Sequence, residues 1–175
     1  GYVFVNKQRQ CIVQHAAEKK CTLEDGTGDL DILVENMGRL NYGGEFFEKK
    51  GITDTVKLDG DEVAGWTMTG FNLSNINELK FTSQLPTKVP SFYKAYFNVD
   101  QVADTFLNPT GWTRGTVFVN GFNIGRYWSV GPQLTLYIPK YLLKQGQNEI
   151  IVFDYESQFD SVPTMSLDDV HQIDI

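Results

Sequence analysis

Trp112, Asn120, Asn123, Arg126, Tyr127 and Trp128 place aromatic rings, amides and a guanidinium within one short stretch. Aromatic faces stack on the C–H groups of pyranose rings, while Asn and Arg bond hydroxyls, so this set suits carbohydrate binding. The stretch also has a structural reading, and that reading is the expectation. Asn120-Gly121 suits a tight turn, Gly125 a close backbone approach, Trp128 the filling of a core, and Arg126 a paired or stacked cation between domains. Glu35, beside Asn36, is the best-placed local carboxylate, with pairing to Arg39 or capping of the next turn as its structural alternative. Asp54, Asp59, Asp61 and Glu62 lack the ligand spacing of an EF-hand, so a solvated turn is expected there. Two cysteines and two histidines suggest no metal cluster. Cys11 and Cys21 either bridge a hairpin or remain two buried thiols. No nucleophile elbow and no phosphate-binding loop occurs in the sequence. Asn72-Leu73-Ser74 is a glycosylation sequon, whereas proline disqualifies Asn108-Pro109-Thr110.

Strands must position these groups. Thr116 to Val119 is β-branched or aromatic throughout, the composition of a strand packed on both faces. Asn120-Gly121 supplies the hairpin turn. Simple alternation then puts Phe122, Ile124 and Arg126 on one side of the return strand, opposite Asn123, Gly125 and Tyr127. Leu134 to Ile138 forms the next strand after the Gly131-Pro132 break. Tyr2-Val-Phe-Val-Asn6 echoes Thr116-Val-Phe-Val-Asn120, and about thirty residues later each copy has a polar turn and an apolar strand. Helix is expected only as one or two turns within Pro139 to Gly146. Elsewhere strands and turn clusters recur as in a β-sandwich. The fold class is therefore all-β, with two consecutive modules. The first spans residues 1–75 and lacks upstream strands, residues 76–89 form a linker, and residues 90–175 form the second module.

The chain has 175 residues, enough to bury a substantial core, with 41% hydrophobic and 13% aromatic content. A formal net charge of −7 disfavours nucleic acid and anionic membrane surfaces as partners. No apolar run has the length of a membrane span. The first residues resemble mid-strand sequence, not a secretion leader, so the chain is expected to be a piece of something longer.

The run Gly111-Trp-Thr-Arg-Gly-Thr-Val-Phe-Val-Asn-Gly-Phe-Asn-Ile-Gly-Arg-Tyr-Trp128, followed by Gly131-Pro-Gln-Leu-Thr-Leu-Tyr-Ile-Pro139, closely resembles the C-terminal region of β-galactosidases of glycoside hydrolase family thirty-five. Asp31-Ile-Leu-Val-Glu-Asn-Met-Gly-Arg-Leu-Asn-Tyr-Gly43 resembles a run in the β-domain preceding their jelly roll. Gly65-Trp66-Thr67 resembles the tryptophan strand closing that domain, and Pro90-Ser-Phe-Tyr93 the opening of the next. Lys7 departs from the pattern, where a turn glycine is often found.

The resemblance implies a galactose-binding-domain-like jelly roll in the second module. It implies an enzyme that removes terminal β-linked galactose with retention and without an organic cofactor. The family's two catalytic glutamates lie on an upstream barrel, and no position here matches their motifs. The implied partners are that barrel, on the same or a separate polypeptide, galactose-containing glycans, and a second copy in a homo-oligomer. A lysosomal or extracellular location is expected. The alternatives are a stand-alone carbohydrate-binding module and a purely structural interaction domain. Three expectations follow for the chain itself. It has no galactosidase activity alone, and Trp128→Ala costs about 3–5 kcal/mol by emptying a packed core. Residues 1–75 order only through a partner, so proteolysis cuts first before Pro90.

Overall fold

Tyr2, Val3 and Phe4 are consecutive and all buried, so strand β1 (Tyr2–Val5) is covered on both faces, as its aromatic and β-branched composition dictates. The computed structural model describes the chain except residues 15–18, 25, 39, 40, 42, 48 and 175 and the side chain of Glu45. The chain forms two compact units, Gly1–Phe71 and Asn72–Ile175.

In the first unit β1 is the middle strand of an antiparallel sheet. It lies between β2 (Gln8–Ile12) and β3 (Leu30–Leu33). The β1–β2 turn is Asn6-Lys7, with φ of 50° and 62°. Asn6 supports it by donating from Nδ2 to the Thr27 carbonyl at 3.1 Å and accepting from the Asp29 amide at 3.2 Å. Lys7 has no such compensation for a left-handed conformation that L side chains disfavour. Lys7→Gly is therefore expected to raise the thermal midpoint by about 2–4 °C, and an unchanged or lower midpoint in a melting scan would count against strain at this turn. Cys11, on β2, is disulfide-bonded to Cys21, ten residues further on. A small hairpin, β4 (Lys57–Leu58) and β5 (Asp61–Glu62), turns through Asp59 and Gly60, at φ of 51° and 95°. Gly65-Trp66-Thr67, expected as a strand, lies outside any strand, and the Trp66 indole donates to the Val63 carbonyl at 2.9 Å.

The second unit is a β-sandwich. β6 (Ser91–Val99), β8 (Arg114–Val119), β9 (Phe122–Trp128) and β11 (Gly146–Asp154) form one antiparallel sheet in the order β6-β11-β8-β9. β7 (Thr105–Asn108), β10 (Leu136–Ile138) and β12 (Ser166–Asp168) form the other, in the order β10-β7-β12. Val117, Val119, Ile150 and Val152 of the first sheet share one buried cluster with Leu107, Leu136 and Ile138 of the second. Helix is limited here to short 3-10 turns, including Lys140–Leu142 within the stretch expected to be helical.

Residues 76–89 are not a free linker in this unit. β8 and β11 are apolar on both faces, so the four-stranded sheet needs a cover on its outer side too. The 3-10 turn Leu73–Glu78 supplies it: Ile76 is buried against Phe118 and Ile151, with Leu73, Phe81 and Phe92 around them. Limited proteolysis should accordingly leave a resistant core beginning near Asn72. A stable fragment beginning at Pro90 would show that this cover is dispensable.

The echo in the sequence is a repeat in geometry. β1, β2 and β3 correspond to β8, β9 and β11. Val5 lies opposite Leu30 as Val119 lies opposite Ile150. Both hairpins shift register at the same place, between Val3 and Phe4 and between Val117 and Phe118. The turn asparagines also bond alike through the main chain: Asn6 N–H donates to the Asp29 carbonyl, just before β3, at 3.0 Å, and Asn120 N–H to the Glu149 carbonyl of β11 at 2.9 Å. The register makes Val152, not Ile150, the counterpart of Ile32, since these lie opposite Val117 and Val3.

Candidate carbohydrate site

The bulge in β9 re-sorts the residues expected at a sugar site. Gly125 pairs with Val117 and Asn123 with Phe118, leaving Ile124 as the extra residue. Ile124 and Tyr127 therefore both pack against the inner core, and Arg126 no longer shares a side with Ile124. Asn123, Arg126 and Trp128 end on the outer side of β9, opposite Phe118, Thr116 and Arg114.

Trp112 and Tyr127 are 5% and 4% exposed and offer no face to a sugar. Trp112 packs edge-on against Tyr93, Tyr127 and Phe159, and its Nε1 donates to the Pro163 carbonyl at 3.1 Å. Asn120 is also committed. At φ 48° it opens the turn, donates to the Leu142 carbonyl at 2.7 Å and to Asn148 Oδ1 at 2.8 Å, and accepts from the Glu149 amide at 2.9 Å. Trp128 is half-buried, and the Arg114 guanidinium lies over its ring at 4.3 Å. It does not fill the core as expected, because its position on β9 points it to the outer side. Asn123 and Arg126 are exposed, with Asn123 Oδ1 accepting from the Gly125 amide at 2.9 Å.

The densest polar constellation was not among the candidates. Asp154, fully buried at the end of β11, accepts from the Tyr127 hydroxyl, the Ser157 hydroxyl at 3.0 Å, and the amides of Glu156 and Ser157. Ser157 Oγ in turn accepts from the Thr113 amide at 3.0 Å. Burial, reinforced by the Asp154 charge, pushes the Tyr127 phenol far up, so Tyr127 remains a donor. Every donor aimed at this carboxylate comes from the chain itself, so the constellation ties β9, the β8 entry and the loop after β11 together. A sequence signal existed: Asp154 closes the apolar run Ile150-Ile-Val-Phe153, where a charge needs partners.

Gly115 belongs to the same device. A Cβ there would clash with the Phe153 carbonyl oxygen and meet the Tyr127 hydroxyl at 2.6 Å. In the first unit, Glu35 is partly buried and Asn36 Oδ1 accepts from the Gly38 amide at 2.9 Å, while the expected partner Arg39 lies outside the described residues. Among the described residues, no three of His, Cys, Asp and Glu come together as a metal site. No described helix is long and apolar enough to cross a membrane.

Residues 1–74 match the model of the β-galactosidase first all-β domain, and residues 90–148 match that of the β-galactosidase galactose-binding domain. β-Galactosidase 17 of Arabidopsis thaliana is 42% identical over 149 residues, which cover 73% of this chain and 21% of that protein. A β-galactosidase-1-like protein of Mus musculus is 36% identical over 90% of this chain and 26% of its own length, and a β-galactosidase of Macaca fascicularis 34% identical over 89% and 26%. The chain thus spans about a quarter or less of these relatives, and it consists of the non-catalytic all-β domains of the β-galactosidases.

Proposed function

We propose that this chain is the C-terminal portion of a retaining β-galactosidase of glycoside hydrolase family thirty-five, an enzyme that removes terminal β-linked galactose from glycoconjugates or oligosaccharides. The observation that carries this reading is the succession of the first all-β domain and the galactose-binding domain in one chain, in a segment that relatives carry as a minor part of their length. The acid and the nucleophile of the reaction belong to a catalytic barrel outside this sequence. This portion buttresses the barrel and shapes the approach of substrate. Its surface fits such a role: in the first unit Phe47 and Met68 are 90% and 94% exposed, apolar side chains available to a neighbouring domain. Galactose-containing glycans are the ligand class, with Asn123, Arg126 and the open part of Trp128 the accessible remainder of the expected sugar set. The Cys11–Cys21 disulfide and the exposed Asn72 sequon favour a lysosomal or extracellular enzyme that carries a glycan.

The chain alone is expected to release no product from a chromogenic β-galactoside, while the whole enzyme turns it over. Turnover by the highly purified chain that disappears in Glu35→Gln would refute this division of labour.

A further inference from the structure

The two units repeat each other in three strands and differ at the fourth. In the second unit β11 is an inner strand, with β8 on one side and β6 on the other. Its counterpart β3 has β1 on one side and, among the described residues, no strand on the other. The hydrogen-bond pattern identifies the groups concerned. Asn6 donates to the Asp29 carbonyl, and antiparallel partners alternate between bonded and non-bonded pairs. Asp29, Asp31 and Leu33 therefore turn their backbone groups toward β1, and Leu30 and Ile32 turn theirs toward the open edge. The corresponding residues of β11, Ile150 and Val152, lie opposite Ala95 and Tyr93 of β6. Burial differs in step. Ile150 and Val152 are 8% and 3% exposed, while Leu30 and Ile32 are only partly covered.

We propose that the open edge of β3 seats one further antiparallel strand, the counterpart of β6, supplied by the part of the same β-galactosidase outside this sequence. The choice of occupant rests on the function proposed above. The repeat argues for a strand, because the same edge in the second unit already holds one in full register over nine residue pairs. The length of the relatives argues for the source, because this chain covers only 21% to 26% of them. Side-chain chemistry argues against an edge evolved for solvent. Leu30, Ile32 and Leu33 surround the single charge of Asp31, and β3 has no proline, lysine or register shift to discourage pairing. The incoming strand completes the ladder at Leu30 and Ile32 and covers their side chains, as Tyr93 and Phe97 cover the core of the second unit.

Residue-resolved amide exchange tests this, by NMR on the monomeric chain and by fragmentation mass spectrometry on the whole enzyme. In the chain, Leu30 and Ile32 should exchange about 100-fold or more faster than Asp31 and Leu33. In the whole enzyme all four should be comparably slow, and this arm decides even if the first unit frays in the chain alone. Fast exchange at Leu30 and Ile32 in the whole enzyme overturns the proposal. Protection that arises in the chain alone and grows with its concentration also overturns it, since the strand then comes from a second copy. Galactosidase activity is scored separately: an enzyme with a protected edge but no activity sinks the functional reading and leaves the strand in place.

Discussion

Trp112→Ala should destabilise the second unit by about 3–5 kcal/mol, the loss expected when a large buried aromatic is removed from a core that cannot collapse around the gap. The Trp112 ring centroid lies 5.0 Å from that of Tyr93 and 4.8 Å from that of Phe159, both edge-on. These neighbours are held by separate elements, β6 and the loop after β11, so neither can move in without giving up its own contacts. The truncation also orphans the Pro163 carbonyl that accepts from the indole. Trp128→Ala is the internal control. Its ring is only partly buried and lies against the Arg114 guanidinium, and its loss should cost about 1–2 kcal/mol. Chemical denaturation of both variants decides the matter. Equal losses, or a larger one at Trp128, would show that the inner core is not where the structure places it.

A comparable loss, about 3–5 kcal/mol, is expected from Asp154→Ala, because four donors converge on one carboxylate that has no exposed surface. Removing the acceptor leaves the Tyr127 hydroxyl, the Ser157 hydroxyl and two backbone amides without this partner in a buried site. The signature of that cause is coupling. Tyr127→Phe in the Asp154→Ala background removes one stranded donor and should recover part of the loss, although Tyr127→Phe alone is destabilising. Strictly additive losses in the double-mutant cycle would mean that the carboxylate acts through something other than these bonds.

Much of this protein was legible in the order of its residues. Thr116 to Val119 and Ile150 to Phe153 are apolar on both faces, and such runs have few places to go but the middle of a sheet. Asn120-Gly121 specifies its hairpin because both positions need positive φ, which they adopt at 48° and 81°. The paired Val-Phe-Val-Asn runs disclosed the repeat, since a local pattern of strand and turn repeats its local geometry. The long Gly, Trp and Asn pattern likewise pointed to the family.

What the sequence did not disclose was decided by contacts between distant segments. One bulge residue, Ile124, brought Tyr127 to the inner side of β9 and sent Arg126 and Trp128 to the outer side. The polar stretch 76–89 looked like a linker, because nothing in its composition reveals an apolar sheet face waiting for Ile76. Asp154 closes β11 and is fully buried there. Only the fold shows that Tyr127 and Ser157 reach it, from 27 residues before and three after. Period and turn chemistry act between neighbours and are written locally, whereas which face is covered, and which charge is satisfied, depends on what the rest of the chain brings to it.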